Sequence, residues 1–213
     1  MSRFPDPRYV RGDIVALGED LSVDTLRDAY RHGIFPWPHD DLPLPWFSPR
    51  RRTLLFFDEL HVGRSLRRAQ RDSTLTFTID RDFPSVIAAC AEAGRPEQDG
   101  TWIGPPIVAA YTALHQAGEA HSVEAWDGET LVGGLYGVDA GGAFTGESMF
   151  HRQPDASKLA LLYLVDHLRA RGIGWIDCQV TTPHMQALGS REITRAKFLD
   201  LLAAAQAVNP RLF

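Results

Sequence analysis

Between residues 121 and 150 three strand-like stretches follow one another directly, at 121–126, 130–138 and 143–150. Asp127-Gly128 separates the first two and Gly141-Gly142 the second from the third. An Asp-Gly pair between such stretches is a strong hairpin signal, because glycine reaches the positive-φ conformations that tight hairpin turns require. Three strands joined this way form an antiparallel meander, and a meander needs further elements to cover its apolar face. Helical periodicity supplies them. Residues 82–93 run to a stop at Gly94 and residues 107–117 to one at Gly118, with a polar, turn-rich stretch at 95–100 between; a third helix at 156–171 stops at Gly172. A strand at 175–180 and a helix at 194–208 close the chain. Upstream, Ser22 is placed to cap a helix over residues 23–31, with Leu26, Ala29 and Tyr30 inward and Gly33 as the stop. Residues 53–57 and 75–79 read as strands, and 63–71 as a basic helix. The expected architecture is α/β (α+β), with a layered domain over residues 61–213 behind a small N-terminal domain over residues 1–60.

The N-terminal part is unusual in composition. Gly33-Ile34-Phe35-Pro36-Trp37-Pro38 is followed by Pro43 and by Pro45-Trp46-Phe47-Ser48-Pro49. Linkers seldom carry such aromatics, so this is a proline-braced aromatic loop, serving as a small core, as a concave apolar wall, or as both. The formal net charge of -5 argues against a simply basic nucleic-acid binder. The distribution argues otherwise: Arg50, Arg51, Arg52, Arg64, Arg67, Arg68 and Arg71 crowd into residues 50–71. Guanidinium groups suit bidentate phosphate contacts, so this is a candidate RNA or phosphate face, the alternative being a solvated surface. Two cysteines, Cys90 and Cys178, are too few for a disulfide framework or a four-cysteine zinc site. No apolar run approaches the roughly 20 residues of a membrane span, and none near the N-terminus suits a signal peptide. A soluble, cytoplasmic protein is expected.

The metal and nucleophile motifs are incomplete. His121-Ser122-Val123-Glu124 carries the H-x-E element of zinc deaminases without the P-C-x-x-C that completes it, and His115, His121, His151 and His184 lack ligand spacing on any one element. No metal or cofactor is expected. Gly146-Glu147-Ser148-Met149-Phe150 has Phe150 where a nucleophile elbow needs its second glycine. Arg169-Ala170-Arg171-Gly172-Ile173-Gly174 matches an acyl-CoA pyrophosphate pattern, but its glycines follow a helix instead of preceding one, so Gly172 is more simply a helix C-cap.

The strand Trp175-Ile176-Asp177-Cys178-Gln179-Val180 carries more. Alternation puts Asp177 and Gln179 on one face and Ile176, Cys178 and Val180 on the other. A carboxylate beside an amide in a sheet is costly unless paired or functional, and a buried structural hydrogen bond is the alternative. Functional polarity, unlike structural polarity, would leave thermal stability nearly unchanged on substitution. Glu147 is similarly set among apolar neighbours. Acidic and amide groups inside an apolar, aromatic surrounding suit a substrate with both a cation and a hydrophobic part.

Several blocks together resemble one family. They are Gly33-Ile34-Phe35-Pro36-Trp37, Trp46-Phe47-Ser48-Pro49-Arg50, Thr101-Trp102-Ile103, Ala120-His121-Ser122-Val123-Glu124, Leu131-Val132-Gly133-Gly134-Leu135-Tyr136-Gly137-Val138, Phe144-Thr145-Gly146-Glu147-Ser148-Met149-Phe150, Ala156-Ser157-Lys158, Ile176-Asp177-Cys178-Gln179-Val180 and Leu188-Gly189. From about residue 17 to 198, in order, they resemble the bacterial leucyl/phenylalanyl-tRNA–protein transferases. The resemblance implies a GNAT-like C-terminal domain, related to Fem-type transferases, with a smaller N-terminal domain. It implies a monomer that moves Leu or Phe, and less often Met, from aminoacyl-tRNA to proteins beginning with Arg or Lys, creating an N-degron. By the same resemblance, Asp177 and Gln179 orient the acceptor amine or accept its proton, Gln179 orienting and Asp177 supplying charge, while Glu147 meets an acceptor-side cation. Leu135, Phe144, Met149, Leu164 and Ile176 match the apolar pocket for the donor side chain. Tyr30, Trp37 and Trp102 match aromatics that touch the tRNA 3′ end or close the pocket, and Arg64, Arg67 and Arg68 match a basic helix for the acceptor stem. The chain departs from the pattern in two places: Thr182-Pro183 stand where the family commonly has Asn then Asp, and Leu164 where it often has an aromatic. A GNAT-type N-acetyltransferase or a Fem-like peptide aminoacyltransferase is the rival enzyme, and a tRNA-binding module without turnover the rival non-enzyme.

Overall fold

The computed structural model describes residues 2–39, 42–93 and 102–213. The expected helix stop at Gly94 and the turn-rich stretch at 95–100 lie outside these residues. Strand β1 (Ile14–Leu17), helix α1 (Val23–Arg31), β2 (Phe35–Pro36), β3 (Pro45–Phe47) and β4 (Arg51–Phe56) come first. After them come α2 (Arg64–Asp72), β5 (Thr76–Ile79), α3 (Phe83–Glu92), α4 (Pro105–Gln116), β6 (Ala120–Asp127), β7 (Thr130–Asp139) and β8 (Phe144–His151). Helix α5 (Ala156–Arg169), β9 (Trp175–Gln179), α6 (Pro183–Ala187), β10 (Arg191–Thr194) and α7 (Arg195–Val208) complete the order.

Local chemistry sets the helix ends. The Ser22 hydroxyl accepts from the Thr25 amide at 3.3 Å, Asp82 caps α3 through the Ser85 amide at 3.2 Å, and Thr194 caps α7. Each satisfies a donor that the first helical turn leaves free. Gly172, at φ +80°, follows α5 as its cap, and its neighbour's amide reaches back to the Leu168 carbonyl.

Two sheets result. β1-β3-β2 form a small antiparallel sheet, so the proline-braced segment is partly strand and not only loop. Pro36 lies in an edge strand, and Pro45 opens the middle one, where a missing N–H is tolerated. The large sheet has seven strands in the order β10-β4-β9-β8-β7-β6-β5. It takes in β4, so it begins before residue 60. Strand β10 escapes sequence reading because only Ile193 of Arg191–Thr194 is buried and the strand lies at an edge. Every neighbouring pair is antiparallel except β8–β9.

Apolar side chains cover both faces of this sheet. One face packs on α1, α3, α4, α7 and the small sheet, with Leu54, Tyr136, Val138 and Phe150 pointing into that layer. The other packs on α5 and α2, with Leu55, Leu135, Phe144 and Ile176. Leu54 and Leu55, like Leu135 and Tyr136, are consecutive and go to opposite layers, as strand alternation requires. Among the described residues no helix is long and apolar enough to cross a membrane.

Of the bulges that interrupt the ladders, two lie on β8 and β9. On β8, Gly146 pairs with Gly137 and Ser148 with Tyr136, which leaves Glu147 without an opposite residue. On β9, Asp177 pairs with Leu54 and Gln179 with Thr53, which leaves Cys178 over. The first bulge needs a glycine opposite it: a Cβ on Gly137 would stand 2.3 Å from the Thr145 carbonyl oxygen and 2.4 Å from the Phe144 ring. Backbone cannot yield as a flexible side chain does. Gly137→Ala should therefore destabilise the fold by about 3 kcal/mol, the upper range of overpacking costs, in urea unfolding. A loss within a few tenths of a kcal/mol would show that the bulge adapts.

Candidate active site

Strands β8 and β9 meet at one register pair, Thr145 with Asp177, and part beyond it. This is the single parallel seam of the large sheet, with antiparallel groups on either side. The two bulges lie just past the seam. Bulges re-aim side chains, and these bring Glu147 and Gln179 to face each other across the gap. The Gln179 Nε2 donates to Glu147 Oε1 at 2.7 Å, so a side-chain bridge takes over where the backbone ladder stops. Gln179 ends its strand at φ +60°, in the left-handed region. Alternation holds: Cys178 packs with Ile176 toward α5, while Asp177 and Gln179 take their partners in the opposite layer, Asp177 on Arg52 beside Phe35 and Phe198 and Gln179 on Glu147 beside Tyr30.

Glu147 is only 9% exposed. Its Oε1 also accepts from the Tyr30 hydroxyl at 2.7 Å, and that hydroxyl is in turn hydrogen-bonded to the Tyr111 hydroxyl. Because Tyr30 gives its proton to the carboxyl, Tyr111 is the donor to Tyr30. Glu147 Oε2 has no hydrogen-bond partner among the described residues. Burial pushes the Glu147 carboxyl up to about 8, with the charge of Asp177 adding to the effect and the hydrogen bond from Tyr30 opposing it. Burial, and then the Glu147 charge, also raises Tyr30 well above the ordinary tyrosine value. At neutral pH the site thus holds a largely protonated Glu147, with its O–H on Oε2.

Asp177 is held differently. Its carboxylate receives Arg52 Nε at 2.8 Å and Nη2 at 2.6 Å, and both side chains are 1% exposed. Its charge is therefore spent on Arg52. The expectation that Asp177 supplies free charge beside Gln179, and that its loss would leave stability unchanged, is corrected by this pair: Asp177→Asn leaves a buried guanidinium uncompensated. Arg52 also leaves the proposed basic face, since it is a core residue. Sequence reading missed it because the strand begins at Arg51, two residues before the expected start, so that Arg51 faces out and Arg52 in. Of its neighbours, Arg50 pairs with Asp13 and Arg51 with Glu192. Tyr111 was missed too. Its signal is the apolar stripe Ile107, Tyr111 and Leu114 on α4, where a buried hydroxyl needs a partner.

The remaining candidates divide by layer. Tyr30 is 2% exposed beneath Glu147, so it belongs to the polar network and presents no face to a nucleic-acid base. Trp37 is half-buried in an aromatic cluster with Phe35, Phe47 and His39, and Trp102 is half-buried just before α4. Both pack on the same apolar layer as Tyr30. Leu135, Phe144, Leu164 and Ile176 are buried together in the opposite layer, and Met149 packs against them, directly across from Leu135. The sheet separates this apolar set from the polar network. Arg64, Arg67 and Arg68 lie on the exposed side of α2, which is anchored by buried Leu66. Arg68 pairs with Asp72, while Arg64 and Arg67 make no ion pair among the described residues. His121 and Glu124 take separate partners, His121 with Asp80 and Glu124 with Ser122 and Thr78. Thr182, at one of the two departures, caps α6 through the Met185 amide, with Pro183 in the first turn.

Two family models match. The leucyl/phenylalanyl-tRNA protein transferase model covers residues 54–203, and the model for the N-terminal domain of the same proteins covers residues 19–50. A leucyl/phenylalanyl-tRNA–protein transferase of Syntrophobacter fumaroxidans is 52% identical over 202 residues, spanning 94% of this chain and 86% of the relative. Proteins of the same name from Oleidesulfovibrio alaskensis and Chromohalobacter salexigens are 50% and 52% identical, over 95% and 89% of this chain and 84% and 73% of their own lengths.

The raised Glu147 value has a testable consequence. A carboxyl that is harder to ionise folded than unfolded contributes fully below its ordinary value of 4.5, and that contribution is lost as pH rises through about 8. The wild-type melting temperature should therefore fall more between pH 5 and pH 8.5 than that of Glu147→Gln, which cannot ionise. Parallel curves for the two proteins would show that Glu147 is ionised throughout.

Proposed function

The chain belongs to the leucyl/phenylalanyl-tRNA–protein transferase family, and from that premise we propose that it transfers Leu or Phe, and less often Met, from aminoacyl-tRNA to proteins beginning with Arg or Lys. The product carries a destabilising N-terminal residue, an N-degron. The observation that supports the reading most directly is the Gln179–Glu147 bridge just past the β8–β9 register pair, where an amide and a carboxyl meet on the sheet face opposite the apolar set.

The donor is an ester and already activated, and the acceptor is an α-amine with a pKa of about 8. Such a reaction needs little acid–base help. Holding both substrates in register can supply most of the acceleration, since well-oriented reactants reach effective molarities of about 10⁵–10⁸ M. In this reading Gln179 orients the amine, and Glu147 meets the acceptor's cation, whose charge favours the ionised form of that carboxyl once it is bound. The donor side chain inserts toward Leu135, Phe144, Met149, Leu164 and Ile176, entering at the seam where the strands part. Trp37 and Trp102 offer stacking faces for the terminal adenine, worth about 1–3 kcal/mol per base. Arg64, Arg67 and Arg68 take the acceptor-stem phosphates. The fold is read as GNAT-like, with the parted strands as its substrate cleft, and the protein as a cytoplasmic monomer.

The purified protein should move labelled leucine from Leu-tRNA to a peptide beginning with Arg, without ATP or added metal. Turnover of acetyl-CoA without leucine transfer would favour an acetyltransferase, and tight tRNA binding without product a binding module. Replacing Arg64, Arg67 and Arg68 with Ala should raise KM for aminoacyl-tRNA and lower the logarithmic salt slope by about 3, roughly one per phosphate contact. Activity on an aminoacyl-adenosine donor, which has no acceptor stem, should survive. Equal loss on both donors would make α2 a structural element.

A further inference from the structure

We propose that Arg52 is a positioning residue for the transfer reaction: it holds the Asp177 carboxylate in the one orientation that fixes the Gln179 backbone, and through it the Gln179 side chain, at the parting of β8 and β9. The inference rests on the aminoacyl-transfer reading of this site.

Asp177 has no acceptor capacity to spare. Its Oδ1 receives Arg52 Nε at 2.8 Å and the Gln179 backbone N–H at 2.9 Å; its Oδ2 receives Arg52 Nη2 at 2.6 Å and the Thr145 hydroxyl at 3.1 Å. Four donors use the roughly four lone-pair sites of a carboxylate. A group so engaged does not also take a proton from an incoming amine. What it does visibly is hold Gln179. That residue sits at φ +60°, which non-glycine residues avoid and which persists only where the surroundings over-determine it. The Asp177 Oδ1 bond on its N–H and the Glu147 bond on its side chain are the two restraints that do so.

Arg52 is itself fixed from three parts of the chain. Its guanidinium lies between the Phe35 ring at 4.8 Å and the Phe198 ring at 4.5 Å, and Nη1 donates to the Gly33 carbonyl at 3.3 Å. Gly33, at φ +72°, has no room for a Cβ, which would meet Phe198 at 2.7 Å. The turn after α1, strand β4 and helix α7 therefore converge on one planar fork that matches the carboxylate bidentately. Lysine, a point charge without a fork, cannot reproduce that match.

The test measures kcat and KM with Leu-tRNA, together with melting temperature, for wild type, Arg52→Lys and the double variant Arg52→Met/Asp177→Leu. Arg52→Lys keeps a charge beside Asp177 and should lower kcat by about 10²-fold, the cost of misplacing a reacting group by about 1 Å, with little change in KM. The double variant replaces the ion pair with apolar groups, a change that is often neutral or stabilising, so its melting temperature should return toward wild type while kcat stays low. The kcat–pH profile should keep its midpoint. In a Gln179→Ala background the same double change should cost no further kcat, because the pair acts through that residue. A double variant with wild-type kcat would make the pair purely structural. An undiminished further loss in the Gln179→Ala background, or a shifted pH midpoint, would mean that Asp177 acts on the substrate directly. Either result overturns this inference alone, whereas a wild-type chain that transfers no leucine overturns the reading of the site as well.

Discussion

A guanidinium–carboxylate pair with both side chains 1% exposed lies at the centre of this molecule. Charges taken out of water are costly unless matched almost completely, and here the match is bidentate, flanked by two rings and completed by a backbone carbonyl. The geometry of the site follows from that requirement. Arg52 stands on β4 and Asp177 on β9, so the pair pins two neighbouring strands. Asp177 also takes the Thr145 hydroxyl of β8, so the same carboxylate reaches across the one parallel seam of the sheet. The small N-terminal sheet is joined to the large one through Phe35 and Gly33 at the same point.

Beyond the seam the sheet stops behaving as a sheet. Backbone pairing between β8 and β9 ends, a bulge on each strand turns one polar side chain into the gap, and a side-chain hydrogen bond closes it. The chemistry of the gap follows from its burial. A carboxyl there resists ionisation, and Tyr30 and Gln179 both donate to the same oxygen and leave the other buried without a partner among the described residues. Two differently held carboxyls result, one saturated by donors on both oxygens, the other held at a single oxygen and resistant to ionisation. The first suits holding a backbone in place, and the second suits meeting an amine whose own pKa is near 8.

Much of the scaffold was legible in one dimension because it depends on neighbours in sequence. The Asp127-Gly128 hairpin, the Ser22 cap and the Gly172 stop are local hydrogen-bonding and dihedral requirements, and each appears where the residues imply, while Asp82 and Thr194, read as the first residues of their helices, cap them instead. The same holds for Asp177 beside Gln179 on a single strand. Less was legible in the small sheet, where strands of two to four residues, two of them carrying proline, show almost no periodicity. Strand β10 was hidden for the same reason, with one buried side chain in four.

What the sequence by itself determined was which residue types were available and which short segments they would form: an acid and an amide two residues apart, an aromatic turn after a capped helix, a meander with helices around it. Which of those groups would meet, and in what protonation state, only the tertiary structure decided. Arg52 reads as one of three consecutive surface arginines until β4 is placed inside the sheet. Tyr30 reads as an inward aromatic, and by resemblance as one that touches the tRNA 3′ end or closes the pocket, until α1 is laid over Glu147. Glu147 and Gln179 are 32 residues apart, and no local rule brings them to 2.7 Å. The reason is physical. Burial, charge matching and the two bulges arise from strand neighbours distant in sequence, and the cost of an unpaired buried charge is defined only once those neighbours are in place.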